Sequence, residues 1–165
     1  GQGVAQDYDE AARLYRQSAE HNNVNAQTKL GVAYNKGQGV IQNHKEAAKW
    51  WRLAAEQGDP SAQYNLGNMY RKGQGVIQEY REAARWMQLA AQQGDPKSQV
   101  NLGIMYATGQ GVVEDYKEAH MWFNIAAADG DKTALKARDQ VAKEMSSEDI
   151  SEAQDMAREW VKNHP

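Results

Sequence analysis

Histidine is the side chain in this sequence best suited to metal binding and to general acid–base catalysis near neutral pH. The chain has four histidines: His21, His44, His120 and His164. No two of them are separated by the short helical step that would place both on one helix face as metal ligands. We therefore predict neither a metal site nor a catalytic histidine.

Three other patterns would suit catalysis or cofactor binding, and each is missing or incomplete. No serine–histidine–aspartate set and no pair of carboxylates stands out among the polar residues. The chain has no cysteine, so disulfides and thiolate chemistry are excluded. The Gly-Gln-Gly loops lack the third glycine of a dinucleotide fingerprint and follow a predicted helix rather than a strand. We predict no catalytic residues, no cofactor and no enzyme activity.

The charge of the chain limits the classes of partner. The 165 residues include 19 Lys and Arg and 22 Asp and Glu, which gives a net charge of −3. A nucleic-acid partner would require a basic patch to displace counterions. No stretch has the length and apolar character of a membrane span. We therefore predict neither nucleic-acid binding nor membrane insertion.

A repeat of 36 residues dominates the sequence. The tetrapeptide Gly-Gln-Gly-Val begins at Gly1, Gly37, Gly73 and Gly109. Further residues recur at the same step: Leu30, Leu66 and Leu102; Gly31, Gly67 and Gly103; Tyr34, Tyr70 and Tyr106; Trp50, Trp86 and Trp122, with Leu14 at the tryptophan position of the first copy. A fixed period of this length is the sequence signature of a repeat architecture.

Each period contains the start signals of two helices. Asp59 and Pro60 predict the start of one helix, and Gly73 predicts its end. The second helix starts at a capping box, formed by Asp7 with Glu10, Asn43 with Glu46, Glu79 with Glu82, and Asp115 with Glu118, of which Glu79 is the weaker cap. Each repeat is therefore predicted to be an antiparallel pair of helices, A and then B, joined by a glycine-rich turn, with the tryptophans in the core.

The segment from Ala54 to Tyr70, followed by Gly-Gln-Gly-Val and by Glu82 to Trp86, resembles Sel1-like repeats. These repeats are related to tetratricopeptide repeats, and the resemblance covers about residues 1–131. It implies an all-α fold, a right-handed α-solenoid of antiparallel helix pairs, and a bacterial source. Some members of the family carry cysteines that staple each repeat, and this chain has none.

The repeat pattern predicts the domain organisation. We expect a half repeat over 1–24, full repeats over about 25–60, 61–96 and 97–132, and C-terminal capping helices over 132–165. In the last segment Arg138 replaces the repeated leucine, and Ser146 to Asp149 start a final helix. One face of that helix carries Ile150, Ala153, Ala157, Trp160 and Val161. A solenoid needs such a segment to cover its terminal apolar surface.

The sequence begins in the middle of a repeat, at Gly1. We therefore expect the natural protein to continue upstream, where a signal peptide would lie. A periplasmic or secreted location in a bacterium is slightly favoured over the cytoplasm.

The positions of the A helices that differ between repeats lie at steps of four and three residues, and hence on one shared face. They are Thr28, Val32, Asn35, Tyr64, Asn68, Arg71, Val100, Ile104 and Ala107. The family resemblance implies that the A helices line the concave side, the usual binding surface of a solenoid. We predict a protein-binding surface at these nine residues. The alternatives are that surface positions vary without function, and that the terminal helix covers the last three.

The resemblance implies a non-enzymatic module for protein–protein interaction, acting as a scaffold or adaptor. The sequence does not identify the protein partner. Two alternatives stay open: a hydrolytic enzyme, as proposed for a few repeat proteins, and a self-assembling structural or envelope protein. Self-association would use the uncapped first helix, with Leu14, Tyr15 and their neighbours.

Overall fold

The computed structural model describes residues 8–128 and 130–164, and these residues form nine α-helices and one short 3₁₀ segment. The helices are α1 (Tyr8–Glu20), α2 (Val24–Lys36), α3 (His44–Glu56), α4 (Pro60–Lys72), α5 (Tyr80–Gln92), α6 (Pro96–Thr108), α7 (Tyr116–Ala128), α8 (Lys132–Val141) and α9 (Ser147–Asn163), with the 3₁₀ segment at Ala142–Glu144. The described residues contain no strand, and the all-α class is confirmed. The first Gly-Gln-Gly-Val copy and the capping residue Asp7 lie outside the described residues.

The chain divides into two compact units, which we call unit 1 and unit 2. Unit 1 ends at Gln78 and contains α1 to α4, each helix packed on the next. Unit 2 begins at Glu79 and contains α5 to α9. In unit 2, α5 packs on α6 and α6 on α7, while α8 and α9 both pack on α7. The even-numbered helices α2, α4 and α6 are the predicted A helices.

The predicted helix starts and ends are confirmed at the capping atoms. The side chain of Asp59 accepts a hydrogen bond from the backbone N–H of Ala62 at 2.6 Å, and Gly73 ends α4 with a φ of 66°. The side chain of Asn43 accepts from the N–H groups of Lys45 and Glu46, whereas Glu79 makes no side-chain capping bond. A short polar side chain therefore satisfies the free N–H groups of the helix start, as predicted. The reciprocal half of the predicted capping box is not made, because the N–H of Asn43 donates to the carbonyl oxygen of Tyr34 rather than to Glu46.

The second glycine of each turn is required by a close approach of two backbones. Gly75 has a φ of +71°, and a Cβ atom built there would lie 2.2 Å from the carbonyl oxygen of His44. Gly111 repeats the arrangement against the carbonyl oxygen of Tyr80, at 2.0 Å. The turn thus packs on the first residue of the preceding B helix, and no side chain fits between them.

The repeated leucines and tryptophans form the core. Leu30, Leu66 and Leu102 are 0% exposed, and Trp50, Trp86 and Trp122 are between 4% and 8% exposed. The interpretation of the tryptophan positions as core residues is therefore confirmed.

A column of buried glutamines joins each A helix to the B helix before it. Gln27 donates through Nε2 to the carbonyl oxygen of Ala19, and Gln63 donates in the same way to Ala55 at 3.1 Å. Gln99 repeats the contact with Ala91 in unit 2. These carbonyls lie in the last turn of a helix, and each also accepts the backbone N–H of the residue three positions on, as Ala55 does from Gly58 at 3.0 Å. The column was not predicted, although the glutamines recur at the 36-residue step.

The C-terminal helices close unit 2 on α7. Asp131 caps α8 as Asp59 caps α4, and α9 lies over the face of α7 that carries Met121, Trp122 and Ile125. The rings of Trp122 and Trp160 meet edge to face, with their centroids 5.8 Å apart. The positions of α3 that match Met121 and Ile125 are Lys49 and Leu53, and both are exposed. The burial of Met121 and Ile125 in α7 therefore marks the surface that α9 covers.

Candidate functional site

The predicted binding residues of unit 1 lie on α2 and α4, the two helices that flank α3. Five of them are half-buried: Val32, Asn35, Tyr64, Asn68 and Arg71. We call these five residues the A-helix surface. Thr28 is only 8% exposed, and its carbonyl oxygen accepts the indole N–H of Trp51 at 3.2 Å. The structure therefore places Thr28 mostly in the core.

On α2, the polar residue of the A-helix surface is held by a neighbouring helix. Asn35 Oδ1 lies 3.0 Å from Nδ1 of His44, the first residue of α3. The backbone carbonyl of Asn35 also accepts a hydrogen bond from Nε2 of Gln42 at 2.8 Å. Because both contacts join α2 to the turn and helix that follow, Asn35 is positioned by the scaffold.

On α4, an arginine and an asparagine form the polar centre of the surface. Arg71 donates through Nη2 to Oδ1 of Asn68 at 3.1 Å, one helical turn away. The Nε–H of Arg71 is buried without a hydrogen-bond partner. Tyr64 lies on the same helix face, one further turn toward the N-terminus of α4. The guanidinium is therefore oriented by Asn68 and retains unused donors.

The three predicted residues of unit 2 have a different environment. Val100 and Ala107 pack against Phe123 and Val141, beside Ala137 of α8 and Met145, which follows the 3₁₀ segment. Ile104 remains 42% exposed. Residues of α8 and the segment just after it therefore pack over Val100 and Ala107, whereas the final helix α9 packs on α7.

Burial is the largest cause of the shifted pKa values of Glu118 and Tyr106, two groups of unit 2 near Asp115. Burial raises the pKa of Glu118, helped by nearby Asp115 and opposed by the nearby indole N–H of Trp122. Burial together with Glu118 and Asp115 raises the pKa of Tyr106. Asp115 is the cap of α7, since its side chain accepts from the N–H groups of Lys117 and Glu118. The raised pKa values of Glu118 and Tyr106 therefore follow from burial and from the capping carboxylate of Asp115 at the start of α7.

The histidines differ in their surroundings. His120 is 2% exposed with Nδ1 unpartnered, whereas His21 and His164 are exposed and each has Nδ1 close to a backbone carbonyl. Burial lowers the pKa of His120, and Arg138 lowers it further against a smaller opposite effect of Asp139. The described residues contain no group of three or more histidines and carboxylates that could hold a metal ion.

The first helix exposes apolar side chains at positions that are buried in later repeats. Leu14 is 50% exposed and Tyr15 37%, whereas their counterparts Trp50 and Trp51 are 8% and 3% exposed. The groove beside them, of about 380 Å³, is lined by Leu14, Tyr15, Ser18, Asn23, Asn25, Ala26 and Lys29. Among the described residues, no helix covers Leu14 and Tyr15 as α2 covers Trp51.

The exposed apolar residues that follow the Gly-Gln-Gly-Val turns were not predicted from the sequence. Ile41 is 91% exposed, Ile77 89% and Val113 86%, and each follows a Gly-Gln-Gly-Val turn. The 36-residue step was visible in the sequence, but only the structure shows that the side chains point away from the core. In the part of the chain that the structure describes, no helix is long and apolar enough to cross a membrane.

Comparisons with known proteins agree on the family. The Sel1 repeat family matches residues 1–23, 24–59, 60–95 and 96–131. A Sel1 repeat protein from Oxalobacter formigenes is 39% identical with a TM-score of 0.70, over 76% of this chain and 95% of its own. Helicobacter pylori cysteine rich protein B is 25% identical with a TM-score of 0.63, over 82% of this chain and 98% of its own.

A longer solved structure matches almost the whole chain. It is a protective antigen of uropathogenic Escherichia coli strains with an SLR fold, 32% identical with a TM-score of 0.90. The match covers 99% of this chain but 35% of the antigen, so the chain spans about a third of that relative's length. A search of curated proteins finds no match. The four repeat matches, which together span residues 1–131, show that this chain belongs to the Sel1 repeat family of all-α solenoid proteins.

Proposed function

We propose that this chain is a non-catalytic protein-interaction module that binds its partner through the A-helix surface of unit 1. Sel1 repeats typically serve in protein–protein interaction. The observation that carries the proposal is the contrast within each A helix: Leu30 and Leu66 are fully buried, whereas the neighbouring face changes from Val32 and Asn35 to Asn68 and Arg71. A conserved scaffold with a face that differs between repeats is the arrangement that extended repeat surfaces use for binding.

The composition of that face also suits protein recognition. Tyrosine and arginine are enriched among the residues that contribute most to binding at interfaces. Asn35 and Arg71 are each oriented by a hydrogen bond within the fold, to His44 and Asn68 respectively. Oriented side chains lose less conformational entropy when a partner binds.

The test is a crosslinking capture from cells that express the protein, comparing wild type with Tyr64→Ala/Asn68→Ala/Arg71→Ala. The matched control is Lys45→Ala/Lys49→Ala/Glu56→Ala, which changes three exposed residues of α3. We expect a protein that is captured by wild type and control and lost with the first variant. Equal capture by both variants would exclude the A-helix surface. Circular dichroism must show that all three proteins have the same helicity and melting temperature.

Self-association is a second candidate, favoured by the exposure of Leu14 and Tyr15. These side chains take the positions of Trp50 and Trp51, so a helix from another molecule would bury apolar surface there. Light scattering over a range of concentrations tests it. A mass that stays monomeric for wild type, or that Leu14→Gln/Tyr15→Gln leaves unchanged, would exclude this route.

We also propose a location outside the cytoplasm of a bacterium. The support is the likeness to the protective antigen of uropathogenic Escherichia coli, since a protective antigen must be reached by the immune system. Fractionation of cells that express the natural gene, with a cytoplasmic and a periplasmic marker, tests this. Recovery with the cytoplasmic marker alone would contradict it.

A further inference from the structure

Arg71 differs from the other arginines of the described residues in being half-buried without any acidic or aromatic partner. The ion-paired arginines are Arg13 with Glu10, Arg85 with Glu82, Arg138 with Asp139, and Arg158 with Asp155. Arg16 and Arg52 are exposed and donate to the hydroxyl groups of Tyr34 and Tyr70. Arg81 is exposed to water. Among the described residues, no carboxylate forms an ion pair with Arg71.

The charge of Arg71 is therefore only partly compensated. Arginine stays protonated at every pH at which a protein is folded. The side chain donates to the neutral amide oxygen of Asn68 at 3.1 Å, and its buried Nε–H has no partner. Removing a cation from water without a counter-charge is costly, and a carboxylate that arrived beside it would recover part of that cost.

The geometry allows such a carboxylate to reach the guanidinium. Arg71 is half-buried and lies on the A-helix surface, so part of the side chain faces solvent. The guanidinium has five N–H donors in a planar fork that matches a carboxylate. Asn68 holds one of them, which fixes the plane while leaving donors for a ligand.

We propose that the A-helix surface of unit 1 binds an acidic peptide segment whose Asp, Glu or C-terminal carboxylate pairs with Arg71. This inference rests on the proposed function and adds the chemistry of the partner. On the same face of α4, Asn68 and Tyr64 offer neutral amide and hydroxyl groups to the peptide. Polar side chains of this kind bind peptide backbone as well as side chains.

A nucleic acid fits this surface less well than an acidic peptide. Apart from Arg71, the A-helix surface has uncharged residues. Phosphate backbones bind where several cations displace counterions together. A single oriented arginine beside neutral amides favours one carboxylate in a defined position.

The experiment is binding of the intact chain to an array of random twelve-residue peptides at low and high salt. Wild type is compared with Arg71→Gln and with Arg81→Gln, which removes an equal charge from an exposed arginine. We expect the peptides enriched by wild type and by Arg81→Gln to be rich in Asp and Glu. Arg71→Gln should lower the affinity for those peptides by at least about tenfold.

A second variant guards against a fold defect in Arg71→Gln. Asn68→Asp keeps the size of the side chain and places a carboxylate 3.1 Å from Nη2 of Arg71. This internal counter-charge should raise the melting temperature slightly and abolish the preference for acidic peptides. A preference that survives Asn68→Asp would overturn the proposal.

The outcomes separate this inference from the proposed function. Enrichment of peptides without an excess of acidic residues would overturn the acidic chemistry and leave the binding module intact. Enrichment of acidic peptides that Arg71→Gln does not change would overturn the role of Arg71. A wild-type chain that enriches no peptide would contradict both the inference and peptide binding by this surface. A single-stranded oligonucleotide is tested on the same array, and stronger capture of it than of any peptide would overturn the acidic-peptide proposal in favour of a nucleic-acid partner.

Discussion

The A helices α4 and α6 share one register of the repeat, yet the same face has opposite roles in the two units. On α4 it carries half-buried Asn68 and Arg71, with the donors of the guanidinium only partly used. On α6 it carries Val100 and Ala107, which pack with Val141 of α8. The difference shows that a repeat position has no fixed role: it becomes surface or core according to which element lies over it.

The largest expected effect tests what the two units have in common, the backbone contact at the second glycine of each turn. A Cβ atom at Gly75 would lie 2.2 Å from the carbonyl oxygen of His44, and one at Gly111 2.0 Å from that of Tyr80. Because the contacted atoms are backbone atoms, relieving either contact requires the main chain to shift. We expect Gly75→Ala and Gly111→Ala each to lower the free energy of unfolding by about 3 kcal/mol or more.

The control for these variants is Gly58→Ala. Gly58 also has a positive φ, of +94°, but a Cβ atom there would meet nothing within 4 Å. Its cost should be limited to backbone strain, about 1–2 kcal/mol. Chemical denaturation followed by circular dichroism measures all three. Equal losses at Gly58 and Gly75 would show that conformational preference, rather than the close approach, makes the glycine necessary.

The next prediction exchanges residues between the units at one repeat position. Thr28 in unit 1 is buried with its hydroxyl unpartnered, and its counterpart Val100 packs against Phe123. Thr28→Val should therefore stabilise the chain by about 1 kcal/mol, and Val100→Thr should destabilise it by about 1–2 kcal/mol. Ile104→Asn, which installs the residue of α4 at a 42% exposed position, should change stability by less than about 0.5 kcal/mol. Melting curves of the three variants test whether Val100 is core and Ile104 is surface. A loss of stability in Ile104→Asn equal to that in Val100→Thr would contradict this difference.

These environments also mark how far the sequence could predict the structure. The repeated Leu, Gly and Trp positions predicted the helix pairs, because those residues are required in every repeat: Leu66 is fully buried, and Gly31 lies against the ring of Trp51. The caps Asn43 and Asp59 were predicted because capping depends on neighbouring residues alone.

The candidate site was less predictable, because its environment depends on contacts distant in sequence. The repeat pattern placed Thr28 and Arg71 on one predicted binding face, but Thr28 lies mostly in the core and Arg71 is half-buried. Val100 was predicted to lie on the binding surface, with cover by the terminal helix as the alternative, whereas α8 and the residues after it pack there. Met121, where α3 has Lys49, was the available signal that α9 docks on α7.

A further difference between repeats predicts a pH dependence that arises in unit 2. His120 occupies the position of Ala48 and Ala84, and burial and Arg138 hold its pKa below the ordinary value of 6.5, against the smaller effect of Asp139. The unfolded chain therefore binds more protons than the folded chain as the pH falls through about 6.5. The free energy of unfolding should decrease over that range.

The matched variant for this prediction is His120→Ala, which restores the residue of the other repeats. It should flatten the dependence of stability on pH as the pH falls from about 7 to about 5, whatever its effect on stability at pH 8. Glu118 has the opposite sign, since burial raises its pKa above 4.5, and it opposes the loss only at more acidic pH. Denaturation at several pH values measures the slope, and an unchanged slope in His120→Ala would assign it to other groups.

The smallest expected effect concerns how α9 is attached to α7. Lys117 Nζ lies 2.9 Å from Glu152 and 3.4 Å from Asp149, but the three side chains are between 41% and 53% exposed, and ion pairs this open to water contribute little. The apolar contact of Trp160 with Trp122 holds α9 on α7 instead.

We expect Glu152→Gln to lower the melting temperature barely beyond error at low salt and not at all at high salt, because salt screens exposed charges. Trp160→Ala should lower it clearly under both conditions, since burial of apolar surface does not depend on screening. A loss in Glu152→Gln that persisted at high salt would mean that the ion pair positions α9, and the covered end of unit 2 would then depend on charge.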